Sequence, residues 1–192
     1  MIVLGIDPGL TRCGYAVVSS QGARAVTAVA LGVIRTPPST PLPQRLAELQ
    51  GELSALITEY RPHAVAVEQV FFQVNVRTAM SVGQASGLAL AAAAAAGCDV
   101  VQYTPNQVKD AVAGWGGASK AQVQKMVQSR LGLASVPEPP DAADAAALAL
   151  CHLAMAPLRS QLARAQARLA ASGRGVPAGP ATVSDRLAGG VR

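Results

Sequence analysis

Residues 1–20 read MIVLGIDPGLTRCGYAVVSS, two short apolar runs parted by an Asp-Pro-Gly turn. Residues 2–7 are apolar up to Asp7, Pro8-Gly9 breaks the run, and residues 15–19 resume it. The stretch therefore predicts two strands joined by a tight turn, with a carboxylate at the end of the first. Residues 25–34, alternating and rich in valine and alanine, predict a third strand, so the chain should open with an antiparallel meander.

Working outward, a proline-rich connector at 36–43 leads to Leu46, Leu49, Leu53, Leu56 and Ile57, which recur at helical intervals up to Tyr60. Arg61-Pro62 stops that helix, and residues 64–67 predict a buried strand with Glu68 at its end. Residues 78–96 predict a long helix of small side chains closed by Gly97, and residues 99–103 a fifth strand. Thr104-Pro105 opens a short helix ending near Gly114, the loop GWGGAS follows, and Ser119 starts a helix carrying Val123, Met126, Val127 and Leu131. Asp141 starts the last helix, with Ala145, Leu148, Leu150 and Leu153. Three strands, then strands alternating with helices, predict an α/β fold: a five-stranded mixed sheet flanked by helices, in the order of the ribonuclease H-like fold. Residues 1–157 form this domain. Residues 158–192, dominated by Ala, Arg, Gly and Pro, predict a basic, disordered tail with a helical stretch near 158–169.

The bulk composition sets boundaries. The run LALAAAAAAG at 88–97 is too short and weakly apolar to span a bilayer of roughly 30 Å, and Asp7 interrupts the N-terminal run with no basic leader before it. No membrane contact and a cytoplasmic location are expected. Cys13, Cys98 and Cys151 show no CxxC pattern, which predicts three reduced structural thiols and no zinc site. The net charge of +5 divides unevenly: residues 1–156 hold ten bases and ten acids, and the tail holds six arginines against Asp185. The folded body is thus electroneutral by itself and becomes cationic only if some of its acids are neutralised.

Four of those acids carry the chemical signal. Asp7 and Glu68 end strands that would be neighbours, and Asp141 and Asp144, three apart at a helix start, share one helix face. Taken singly, Asp7 is also a good turn former and Asp141 a good N-cap after Pro139-Pro140. Glu68, ending AVAVE before an exposed loop, has no routine structural role. Together they form an all-oxygen donor set that suits Mg²⁺ or Mn²⁺, two of which clamp the oxygens of phosphoryl transfer about 4 Å apart.

The motifs GIDPGLTRCGYAV, AVEQVFF, QVKDAVAGWGGASKAQVQKMV and PPDAADAAALALCH resemble, in order and spacing over residues 1 to about 155, the RuvC family of Holliday junction resolvases. The resemblance implies a homodimer that cuts two strands of like polarity in a four-way DNA junction with two Mg²⁺ or Mn²⁺ ions per site, in recombination and repair. It implies Asp7, Glu68, Asp141 and Asp144 as metal ligands, and handover from a branch-migration motor of the RuvA and RuvB type. It implies Phe71 as a wedge or stacking platform near the junction centre, with Phe72 a weaker candidate. It also places Lys109 and Lys120 near the scissile phosphate, Lys120 within the catalytic set. Lys125 and Arg77 are further candidates for DNA contact, and His152 falls outside the site.

Two other readings stand beside this one. An actin-like ATPase opens with a similar strand and acid-glycine turn, but it needs a second half that this chain does not repeat. A protein that holds junctions without cutting them would carry no reason for four phosphate-repelling carboxylates.

Overall fold

The computed structural model describes residues 1–22, 25–69 and 76–171. The opening meander is β1 (Ile2–Asp7), β2 (Arg12–Ser20) and β3 (Val26–Arg35), followed by α1 (Leu42–Tyr60), β4 (Ala64–Glu68), α2 (Val76–Ala95) and β5 (Asp99–Tyr103). Helices α3 (Pro105–Ala113), α4 (Lys120–Leu131) and α5 (Pro140–Ala171) complete the order. The sheet runs β3-β2-β1-β4-β5; β1 pairs antiparallel with β2 and parallel with β4, so the expected mixed sheet is observed. β2 starts three residues earlier than its apolar run, because Gly14 pairs with Asp7 directly across the short turn. α1 begins at Leu42, since prolines 41 and 43 occupy the cap and first turn, where a missing N–H costs nothing.

Side chains alternate across the sheet and build a core on each face. Leu4, Ile6, Val17, Val65 and Val67 meet Leu49, Leu53 and Ile57 of α1 and Ala85, Ala89 and Ala93 of α2. Val3, Ala16, Val18, Ala66 and Val101 meet α3, α4 and α5. Each fully buried leucine or isoleucine of α1 contributes about 1.5–3 kcal/mol of apolar burial, which a solvated helix would forfeit. By contrast Gly51, exposed within α1, has nothing within 4 Å of where a side chain would stand. Gly51→Ala should therefore raise stability by about 0.5–1 kcal/mol, read as a higher urea midpoint with an unchanged slope.

The packing of α5 on the sheet decides where the acids go. Ala142, Ala143, Ala145, Ala146, Ala147 and Ala149 are all buried. The helix backbone presses so closely that a methyl group on Gly5 of β1 would overlap the Ala145 carbonyl, and one on Gly14 of β2 the Asp141 carbonyl. Small residues on both sides hold the start of α5 over the ends of β1 and β2.

Two compact units divide the chain, Met1–Met155 with the sheet and Ala156–Arg192. In the second, α5 continues to Ala171 with Leu158, Leu162 and Leu169 exposed. α5 has the length and apolarity of a membrane span, but over half of that window, 56%, is buried in the protein. The three cysteines are unpaired, and burial pushes the thiols of Cys13 and Cys151 up to about 12, where they are inert at neutral pH.

Candidate active site

Ile6 of β1 lies opposite Val67 of β4 in the parallel pair, so the next residues, Asp7 and Glu68, leave the sheet side by side at its carboxyl edge. Two further acids come from the first turns of α5, whose seat on Gly5 and Gly14 sets Asp141 and Asp144 over that edge. Opposite them, the Thr104 and Ser119 capping boxes fix the starts of α3 and α4 and so aim Lys109 and Lys120. A cleft of about 370 Å³ results, lined by Asp7, Glu68, Asp144, Lys109 and Lys120 with an apolar wall of Val108, Val123 and Leu148.

The electrostatics are those of an acid cluster with too little compensating charge. Burial first, then the charges of Glu68, Asp144 and Asp141, push the Asp7 carboxyl up from 3.8 to about 7. Glu68 is raised in the same way, by burial and by Asp144. Asp141 moves the other way because Arg12 holds it through Nη2 at 2.5 Å and Nε at 3.1 Å. Lys120 Nζ donates to Asp144 Oδ2 at 2.6 Å, which raises the Lys120 pKa. Asp7 is thus left in a half-buried pocket against the charge of Glu68, and Glu68 against that of Asp144, a state that a cation entering the cleft would relieve.

The convergence expected of the four acids is partial. Asp7, Glu68 and Asp144 line one cleft, while Asp141 is turned to Arg12 and does not line it. Among the described residues, no three acidic, histidine or cysteine side chains stand close enough to hold one ion as they are. The ion pairs and mutual repulsion account for that spacing. The donor chemistry still fits a hard divalent cation: carboxylates only, two of them without an ion-pair partner among the described residues, and partly exposed arginine and lysine partners on the other two.

Lys125 is exposed on α4 and does not line the cleft. Phe71 and Phe72 lie outside the described residues, as does the side chain of Arg77 at the start of α2. His152 is buried, with its Nδ1 3.1 Å from the Tyr103 hydroxyl, and does not line the cleft. Sequence reasoning missed Arg12; its signal was available, since the first residue of β2 after the Asp-Pro-Gly turn must return to the edge that Asp7 occupies.

Residues 3–152 match the model of the family described as crossover junction endodeoxyribonuclease RuvC. A protein of that name from Salinispora arenicola is 54% identical over 168 residues, covering 88% of this chain and 96% of the relative. Thermus thermophilus RuvC, solved in complex with a Holliday junction substrate, superposes with a TM-score of 0.79 at 41% identity, covering 82% of this chain and 96% of that one. The yeast mitochondrial Holliday junction resolvase Ydc2, at 16% identity and a TM-score of 0.59, shares the fold.

Proposed function

The chain belongs to the RuvC family of crossover junction endodeoxyribonucleases, and on that premise we propose that it resolves four-way DNA junctions by paired hydrolysis of phosphodiesters at the cleft described above. The observation that carries the reading is the cleft itself, lined by Asp7, Glu68 and Asp144 together with Lys109 and Lys120. Acids alone would repel DNA and bases alone would only bind it. An acid pocket beside two lysines is suited to a phosphate whose backbone is gripped by one set and hydrolysed at the other.

Asp7, Glu68, Asp141 and Asp144 are the residues that would hold Mg²⁺ or Mn²⁺, two ions per site. When bound, such ions lower the pKa of a water, generating the nucleophile, and neutralise charge on the attacked phosphate. The chain's own residues supply the rest. Asp7, whose charge is the most strongly disfavoured of the set, would be the central ligand, Glu68 and Asp144 would hold the ions beside it, and Asp141 would join them once free of Arg12. Lys120 leaves Asp144 and turns its ammonium to the phosphate, offsetting charge that grows as the bond breaks, and Lys109 contacts the backbone. The apolar wall of Val108, Val123 and Leu148 limits the water that reaches the site.

A homodimer would set two such clefts about a two-fold axis matching that of the junction, so symmetric incision follows from geometry. Phe71 and Phe72, a few residues beyond Glu68 in the chain, would wedge or stack at the junction centre, with Arg77 on a phosphate. Lys125 adds a weaker DNA contact. Residues 1–157 suffice for the chemistry, and the basic segment 158–192 contacts DNA or the RuvA and RuvB type motor. The setting is cytoplasmic.

The reading is tested by offering the protein, with Mg²⁺, a mobile four-way junction and a duplex of the same sequence. Nicks paired across the junction, sealable by ligase, with the duplex intact, are expected; equal cutting of both rejects it. Lys120→Ala should lower single-turnover cleavage about 100-fold while junction affinity changes less than tenfold, because its charge matters most in the transition state. Lys125→Ala, by comparison, should leave the cleavage rate within a factor of three.

A further inference from the structure

Trp115 is the sole tryptophan of the chain, and it is 56% exposed, in the loop that joins α3 to α4. Exposure of so large an apolar side chain forfeits burial energy, and the loop is built to keep it out. The carbonyl of Trp115 accepts the Ala118 N–H at 3.2 Å, closing a turn, and Ala118 is buried as its anchor. On one side Gly114 caps α3 at a φ of 88°, a conformation that side chains other than glycine's adopt poorly. On the other, the Ser119 capping box starts α4. The indole's six-membered ring lies across Gly117, where a methyl group would overlap it, so the ring is seated on bare backbone. Of the neighbouring acids, Asp110 sits against Gly116.

Position gives this platform its meaning. The two helices that the loop joins are the ones that carry Lys109 and Lys120 into the cleft, and Lys120 follows Trp115 by five residues. Resting on the junction-cutting reading above, we propose that Trp115 is a DNA-binding residue: its indole stacks on a base or deoxyribose of the arm that enters the cleft. Aromatic faces beside cationic side chains are the general means of holding a nucleic-acid strand, and each stacked base is worth about 1–3 kcal/mol. The platform is independent of the phenylalanine pair, which follows β4 rather than α3.

Because no other tryptophan is present, the emission of the whole chain reports this one ring. Full-length protein is titrated with a four-way junction bearing a dye on one arm, with Ca²⁺ supplied in place of Mg²⁺, following dye anisotropy and tryptophan emission together. Emission should be quenched by at least a third, along the same curve as the anisotropy. Trp115→Ala should weaken junction binding about tenfold, Trp115→Phe less than threefold, and Gly117→Ala, which unseats the indole, by an intermediate factor. Unchanged emission at saturation, or Trp115→Ala binding within twofold of the parent, overturns the proposal while leaving junction binding intact. Emission that shifts on dilution of the DNA-free protein, marking burial against a second copy, overturns it too. An absence of any anisotropy change rejects the DNA reading, and this inference with it.

Discussion

Asp7→Asn is expected to abolish junction cleavage, by at least 10³-fold, while making the metal-free protein more stable than its parent. Both effects have one cause. Asp7 is pushed up from 3.8 to about 7 by burial and by three acidic neighbours, so its charged form is unfavourable in the folded state and unhindered in the unfolded one. Between those two values the native protein binds more protons than the unfolded chain, and stability must fall as pH rises across that window. Above about pH 7 the full cost is present, on the order of 2–4 kcal/mol, because each tenfold change in proton affinity is worth about 1.36 kcal/mol. Removing the charge recovers it, so the variant should melt higher at pH 8 in chelator and the gap should close by pH 4. Saturating Mg²⁺ should reverse the order, since binding to the native state stabilises the parent alone. A variant that melted lower than the parent in chelator would show that Asp7 is not held against its neighbours' charge. The trade of stability for activity at this one carboxylate is what a site poised for a cation requires.

Gly5→Ala is expected to destabilise the protein by about 3 kcal/mol or more, and to cost cleavage even where the variant remains folded. The added methyl would overlap the Ala145 carbonyl and crowd the Ala149 amide, 2.9 Å from it, both on the backbone of α5. Neither atom belongs to a flexible side chain, so either β1 or α5 must move, and overpacking of a close-packed interior costs about 1–3 kcal/mol even where side chains can adjust. α5 carries Asp141 and Asp144, and a shift of its axis away from β1 carries both from Asp7 and Glu68. A displacement of about 1 Å at such a site is worth roughly 100-fold in rate. Urea titration reads the first effect, and single-turnover cleavage at low temperature, where the variant is folded, reads the second. A variant as stable and as active as its parent would mean that α5 is seated by something other than glycine contact.

These two positions also show what the sequence made legible. The apolar runs, the capping residues Thr104 and Ser119 and the turn at Pro8-Gly9 each adjoin in the chain the element they mark, so local chemistry announced the strands, the helices and their order. The pairing of β1 with β4 followed from that order, and with it the neighbouring exits of Asp7 and Glu68. Helix boundaries were read less well where proline permits more than one start, as at Leu42. The ion pairs were not legible: Arg12 and Asp141 are 129 residues apart, and only the seating of α5 on Gly14 brings them together. For the same reason the partial convergence of the four acids could not be read from spacing, which reports a shared helix face but not which cation already occupies it. The role of Gly5 was hidden too, since a glycine in a strand signals close approach without naming the partner. Trp115 drew no reading from the sequence, since only the fold shows that its loop joins the two lysine-bearing helices.

Charge ties the site to its substrate. The body of the chain is balanced at ten bases and ten acids over residues 1–156, so cations held by Asp7, Glu68, Asp141 and Asp144 would tip it toward phosphate. The ions would then control DNA affinity as well as hydrolysis. The central claim, that these four carboxylates cut a four-way junction through divalent cations, is tested most directly by single-turnover cleavage of a mobile junction mapped to the nucleotide, with Mg²⁺, with Mn²⁺ and in chelator. Paired incisions in two strands of like polarity, present with either ion and lost in chelator, are predicted. Incision that persists in chelator, or that Asp7→Asn performs at the parental rate, contradicts it.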